Sequence, residues 1–507
     1  MRYNLTLRQR REGRWAEKEV DVNAIVSVRL LSTLCAATLL GARAQTLTVL
    51  QNFDGTNGAY TSTSLVQGVD GNFYGTVPVI GAYNGGAVFK ITPGGALTTL
   101  YGFCAAPGCA DGSDPVGAPL AQSASGNFYG ATSFGGTNTS GNCGTEGLPP
   151  GCGTIFTITP SGALTTLHSF DSTDGAGPYG LVVTANGYVY GATTVGGAST
   201  ACNGLGCGTI FKITPGGALT TIYSFCSQPN CADGASPTSL VQATSGHGYG
   251  ATSGGGTSTA CSGSGCGTIF KITSAGALTT LYSFAPTDGC GPFGLIQATD
   301  GTFYGASSGC GAHGYRTVFA ITPEGALRTL HSFTRTEGNP NGMVQATDDN
   351  FYGTTYGSAN SRHVGTIFKI TPRGAYTTLY TFCSQTNCAD GASPGAPPVE
   401  GTDGNLYGTT YGGGTHNEGV VYSLSVGLAP FVETLPTSGT VGAAVTILGT
   451  NLTGASSLAF NGTPATFTVV SATEIITTVP AGATSGEVSV TTPGGSLSGN
   501  APFRVLP

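Results

Sequence analysis

The sequence predicts an all-β protein: a seven-bladed β-propeller whose first strand completes its last blade, followed by an immunoglobulin-like β-sandwich. Composition, an internal repeat and the way the repeat is cut at its ends predict it. The 507 residues hold 84 Gly and 27 Pro, with only 8 % charged but 39 % hydrophobic residues, including 21 Tyr and 23 Phe. A core can therefore be buried, and the Gly-rich punctuation favours short strands joined by many turns.

The first 44 residues stand apart. They carry eight Lys or Arg against four Asp or Glu, so this stretch is +4 and the remainder −11 within the chain's total of −7. An apolar run, "LLSTLCAATLLGA" at residues 30–42, precedes Ala42-Arg43-Ala44. A basic stretch, a short apolar run and an A-x-A site read as a secretory signal cleaved before Gln45. The run is too short for a stable bilayer span, so no transmembrane anchor is expected. An acidic remainder argues against nucleic acid as a partner.

The repeat comes next. Tyr-Gly recurs at Tyr74, Tyr129, Tyr190, Tyr249, Tyr304, Tyr352 and Tyr407, at intervals of 48 to 61 residues. Each unit has four strand-like segments, as in "LVQAT", "FYGTT", "GTIFKIT" and "LTTLYSF", and the turns "DGN" and "PGGA" join the first to the second and the third to the fourth. Gly supplies the positive φ such hairpins need. In "LTTLYSF", period-2 alternation puts Leu219, Thr221, Tyr223 and Phe225 on one face and Ile222 on the other. A meander with apolar groups on both faces needs a neighbour on each side, which radial packing supplies.

The ends of the array predict closure. The last unit stops at "GVVYSLS", residues 419–425, without its fourth strand, while residues 47–53, "LTVLQNF", are a fourth strand alone. Together they make one blade, so residues 45–426 are read as a closed ring of seven. Residues 427–507 then carry about seven short alternating segments with a tight Asn461-Gly462 hairpin, as expected of a sandwich.

Two resemblances follow from these residues. The units "DGNFYGTT…GG…GTIFKITPGGALTTLYSF" resemble the GloVer (Gloeo/Verruco) tandem repeats of exported bacterial proteins, over about residues 46–426. Pro436, Gly439, residues 445–449, Phe460-Asn461-Gly462 and residues 478–480 resemble an IPT/TIG domain. The first implies a propeller-like exported protein with no catalytic residues to carry over; the second implies a spacer or adhesive module.

Fourteen of the fifteen cysteines follow the leader and lie in neighbouring pairs: Cys104/Cys109, Cys143/Cys152, Cys202/Cys207, Cys226/Cys231, Cys261/Cys266, Cys290/Cys310 and Cys383/Cys388. In an exported chain they read as disulfides that pin loops, local pairs being expected although pairs across loops are geometrically open; none shows zinc spacing with paired His. All lie in or beside the loops entering the inner strands and the loops after "FYGTT", which meander topology puts on one face. Binding on β scaffolds usually lives on such elaborated loops.

The loop entering each inner strand also carries an acid followed by Gly: Asp54, Asp111, Asp174, Asp233, Asp288, Glu337 and Asp390. They read either as a ring of carboxylates near the channel mouth that binds cations or sugars, or as turn acceptors for backbone N–H groups; sevenfold recurrence favours the turn reading. His168 and His331 take the Tyr position of "LYSF" and are expected to be packed aromatics, whereas His313, His363 and His416 lie in loops. G-x-S-x-G at residues 305–309 and 391–395 precedes no helix, so neither is a nucleophile elbow. Loop tyrosines such as Tyr356 and Tyr411 could stack on a sugar. The expectation is a non-enzymatic exported binding or adhesion protein for a carbohydrate or cell-surface protein, with no cofactor, metal or catalytic residue named. The rivals are a polysaccharide hydrolase or lyase, and a structural surface component.

Overall fold

The computed structural model describes residues 4–11, 14–21, 45–78, 85–115, 119–138, 143, 151–184, 187–261, 265–311, 314–357 and 364–506. The chain forms two compact units, residues 1–44 and 45–507. In the first, strands Asn4–Arg11 and Arg14–Asp21 pair as an antiparallel hairpin within the stretch read as the basic leader. The apolar run and the A-x-A site lie outside the described residues.

The second unit contains seven four-stranded antiparallel sheets, each in simple meander order. Blade 1 is Val66–Gln67, Phe73–Val77, Ala87–Ile91 and Leu97–Gly102, numbered from the inner strand outward. Blade 7 is Val399–Glu400, Asn405–Thr409 and Val420–Ser425, with Thr46–Asn52 from the start of the unit as its outer strand. Thr46 pairs with Ser425 and Asn52 with Val420 in that latch. The ring is therefore closed by hydrogen bonds between its own two ends, which covers the strand edge that Val420–Ser425 would otherwise leave open.

Aromatic ladders hold neighbouring blades together. Phe73 stacks on Tyr407 at 4.0 Å across the join between blades 7 and 1. Farther out, the Phe that follows each outer strand packs against a third-strand aromatic ring of the next blade, edge-on in the case of Phe225 on Phe270 at 5.3 Å and against Tyr422 in the case of Phe382. Such pairs add roughly 0.5–1.5 kcal/mol beyond their burial.

One expectation is corrected. The outer strand does not alternate strictly: in all seven blades its pairing shifts register by a β-bulge, between partners of Ile210 and Phe211 in the case of Leu219–Ser224. Thr220 and Thr221 are consequently both exposed, and Ile222, the bulged residue, turns toward the next blade's hairpin. A bulge adds local twist, which suits a strand at the wide rim of a disc.

The sandwich follows. One sheet holds Glu433–Leu435, Ala444–Leu448, Glu474–Thr478 and Phe467–Val469; the other holds Thr463–Pro464, Ser457–Phe460, Val488–Thr492 and Gly495–Ser498. Alternate residues such as Val445, Ile447, Ile475, Leu458, Phe460 and Val490 fill its core. It docks on the tight-turn face of the propeller: Thr473 Oγ1 donates to Val69 O at 3.1 Å and Phe431 N to Thr402 O at 3.0 Å.

Candidate functional site

The other face is built from the long loops. Each cysteine there is bonded to its sequence neighbour: Cys104–Cys109, Cys143–Cys152, Cys202–Cys207, Cys226–Cys231, Cys261–Cys266, Cys290–Cys310 and Cys383–Cys388. The two loop types are tied together within a blade, because Gly136 N donates to Cys109 O, Gly256 N to Cys231 O and Gly414 N to Cys388 O, each at 2.9 Å. Sulfurs also gather between blades: Cys261 Sγ lies 3.3 Å from Cys290 Sγ, and Cys202, Cys207 and Cys226 group closely. All of them are disulfide sulfurs, so none is a thiolate ligand.

The seven acids are acceptors within their own loops. The Tyr223 hydroxyl donates to Asp233 at 2.8 Å, and Ser227 N, Ser227 Oγ and Gln228 N complete the set at 3.0, 3.0 and 3.3 Å. Tyr380 and Asp390, Tyr101 and Asp111, and Tyr282 and Asp288 repeat the pairing at 2.7 to 2.8 Å. Burial and the adjacent carboxylate push these four phenols up to about 12. Where the outer strand carries His, the geometry persists: His168 Nε2 is 2.7 Å from Asp174 and His331 Nε2 is 3.1 Å from Glu337. Only Asp54 differs. Gln51 occupies the Tyr position, and the exposed Asp54 accepts from Thr56 and Asn57 instead, bonds that hold its carboxyl below the usual range. None of the seven acids is among the described residues that line the central channel.

That channel has a volume of about 420 Å³ and is lined by inner-strand residues of all seven blades, among them Leu65, Leu120, Tyr179, Leu240, Phe293, Asn341 and Val399. Its described lining consists of apolar, hydroxyl and amide groups, without a carboxylate, imidazole or amine.

The join between blades 7 and 1 departs from the repeat on the looped face. Tyr60 and Tyr411 pack with ring centroids 5.0 Å apart. Tyr60 N donates to Glu418 O at 3.1 Å. The nearby Glu418 carboxylate raises the Tyr60 phenol's pKa above its ordinary value. Glu418 Oε2 is buried without a hydrogen-bond partner. Tyr60 stands at φ 55°, a corner that sister loops fill with Asp114, Ser236 and Ser393 at φ 53° to 59°. A bulky residue in that left-handed region is strained, a cost that tends to persist where function requires it. Tyr411 and Tyr356 are exposed, at 42 % and 39 %. Sequence reading found Tyr356 and Tyr411 but missed Tyr60; its signal was a Tyr where sister loops read small or acidic residues. His416 stands in the same loop, with Nδ1 3.0 Å from Thr415 Oγ1. His313 and His363 lie outside the described residues.

The sequence pattern of the Gloeobacter/Verrucomicrobia repeat matches residues 143–263 and 257–464. The chain belongs to that repeat family. The IPT/TIG domain matches residues 431–505. No curated protein matches the chain. Solved structures similar to this repeat protein include a structural-genomics target assigned to the gluconolactonases, at 11 % identity over 76 % of this chain and 94 % of that one, with a TM-score of 0.37. A gluconolactonase of Xanthomonas campestris is similar at 14 % identity over 54 % of this chain and 78 % of its own, with a TM-score of 0.34. The extracellular domain of a hybrid two-component system protein of B. thetaiotaomicron is similar at 10 % identity, with a TM-score of 0.47; the match covers 91 % of this chain and 58 % of that one. Among the described residues no helix is long and apolar enough to cross a membrane.

Proposed function

We propose that this GloVer-repeat protein is exported, losing residues 1–44, and that its looped face binds carbohydrate without turning it over. The observation that carries the reading is the Tyr60–Tyr411 pair beside Glu418. The exposed Tyr411 ring, backed by Tyr60, offers a flat apolar face to the C–H face of a sugar, and the Glu418 carboxylate stands beside the pair. Disulfides and loop-to-loop bonds hold that surface in place before a ligand arrives, which lowers the ordering cost of binding. The seven acids serve as struts beneath it. The sandwich, docked on the opposite face, spaces the looped face away from whatever the C-terminal module contacts.

A glycan and cell-wall polysaccharide array probed with the full chain tests this, with released sugar assayed in parallel. Binding that Tyr411→Ala and Glu418→Gln each weaken roughly tenfold, at unchanged melting temperature, supports the reading. Release of product, or binding indifferent to both substitutions, overturns it.

A further inference from the structure

Blade 3 (Ala176–Val183, Val189–Val195, Thr209–Ile213, Leu219–Ser224) and blade 4 (Ala235–Gln242, Gly248–Gly254, Thr268–Ile272, Leu278–Ser283) meet in a way that no other neighbours do. At four joins a Phe at the start of the second strand lies on the Tyr of the preceding blade: Phe73 on Tyr407, Phe128 on Tyr74, Phe303 on Tyr249 and Phe351 on Tyr304, with centroids 4.0 to 4.2 Å apart. Two further joins use the buried aliphatics Val189 and Leu406. Between blades 3 and 4 the same position is Gly248, and the Tyr it should cover is Tyr190. Six of the seven repeat tyrosines are buried, at 9 % exposure or less; Tyr190 is only half-buried.

A cavity of about 110 Å³ opens where the ring is missing, lined by Val182, Tyr190, Ile210, Ile222, Leu240 and Ile272. Dry apolar cavities of this order take up benzene. Two cations stand near it. Arg504 of the sandwich reaches the Gly246 turn that borders the cavity, its guanidinium 3.5 Å from where a Cβ on Gly246 would be. Lys212 Nζ lies 3.9 Å over the Tyr188 ring and 5.6 Å from the Tyr190 ring.

We propose that this join is a binding site for a small monocyclic aromatic carboxylate. The ring enters in place of the absent phenylalanine and lies on Tyr190, and the carboxylate faces Arg504 and Lys212. The four filled joins supply the reason for an aromatic occupant: the same walls, elsewhere in the same molecule, close on a phenyl ring. The cations supply the reason for the anionic substituent. This site lies on the tight-turn side, apart from the looped face.

Methyl-labelled full chain titrated with benzoate and phenylacetate, with cyclohexanecarboxylate as the aliphatic control, tests the proposal by NMR. The methyls of Ile210, Ile222, Leu240 and Ile272 should shift and show contacts to ligand ring protons at millimolar concentration. The aliphatic acid should bind at least tenfold more weakly, and Arg504→Gln should weaken the aromatic acids severalfold. Gly248→Phe should fold and lose binding tenfold or more; if it fails to fold, Ile222→Phe occupies the cavity from the outer strand and should have the same effect. Absence of methyl shifts, equal binding of the aliphatic acid, or undiminished binding by a folded cavity-filling variant each overturns it.

Discussion

Glu400 shows how much one residue can depart from its repeat. In the inner strands a Gln at this place reaches to the neighbouring blade, Gln297 Oε1 accepting from Thr244 N and Gln345 Oε1 from Thr299 N, each at 2.8 Å. Glu400 copies the contact, with Thr347 N at 2.9 Å and Thr347 Oγ1 at 2.7 Å, but as a buried carboxyl. Burial, with Asp348 and Asp403 nearby, pushes it up to about 7. A folded value above the unfolded one means that the folded state holds the extra proton between roughly pH 4.5 and 7, so stability falls as pH rises through that window. The loss approaches about 3 kcal/mol above pH 7. Glu400→Gln should restore the repeat, raise the melting temperature at pH 8 and flatten its dependence on pH; an unchanged profile counts against this assignment. Asp233 makes the opposite case. It is fully buried and accepts four bonds, so Asp233→Ala should cost about 3 kcal/mol in urea unfolding, by stranding the Tyr223 hydroxyl and the loop amides. Recurrence of an acid before Gly made the turn role of these residues legible in the sequence. The outer-strand Tyr or His as partner was not, because the two stand ten residues apart in some units and six in others.

At the level of the strand and its turn, the glycines of "PGGA" do two things at once. Gly217 has φ +88°, and a Cβ there would meet Leu167 O of the preceding blade at 2.6 Å. Gly276 against Ile222 O and Gly325 against Leu281 O repeat this distance. The carbonyl in each case belongs to the bulged residue of the neighbouring outer strand, so bulge and hairpin fit as a pair. Gly217→Ala should therefore destabilise by more than the roughly 1 kcal/mol expected from backbone conformation alone. Denaturant midpoints of this variant and of Gly462→Ala, a positive-φ turn with open space around it, separate the two effects. The hairpin was legible from Pro-Gly-Gly. The bulge was not, since apolar residues on both sides of "LTTLYSF" satisfy either a regular strand or a bulged one. The empty place at Gly248 was visible as "HGYG" against "NFYG", but its meaning needed the neighbouring blade.

For the whole molecule, the decisive contact joins its most distant parts. Thr46–Asn52 supplies the outer edge of blade 7, and Phe53 beyond it is fully buried and packs on Phe89 at 5.7 Å. The split unit made this legible in the sequence, because the missing fourth strand and the surplus one share the same pattern. Placement of the sandwich on the tight-turn face was not legible, since it rests on main-chain contacts such as Phe431 N to Thr402 O that no residue type announces. The latch gives a sharp test. Deletion of residues 45–53 uncovers Val420–Ser425 along its length and opens the aromatic ladder between blades 7 and 1. An exposed apolar edge pairs with whatever strand it meets, so the truncated chain should melt far below the intact one and self-associate on size-exclusion chromatography. A synthetic peptide of residues 45–53 should bind it in antiparallel register and return the monomer, as strand addition predicts. Val421→Lys, which puts a charge into the buried side of that same edge, should abolish rescue. A truncated chain that stays monomeric with an unaltered melting temperature would mean that the ring is held shut by the sheets' faces and not by the pairing of its ends.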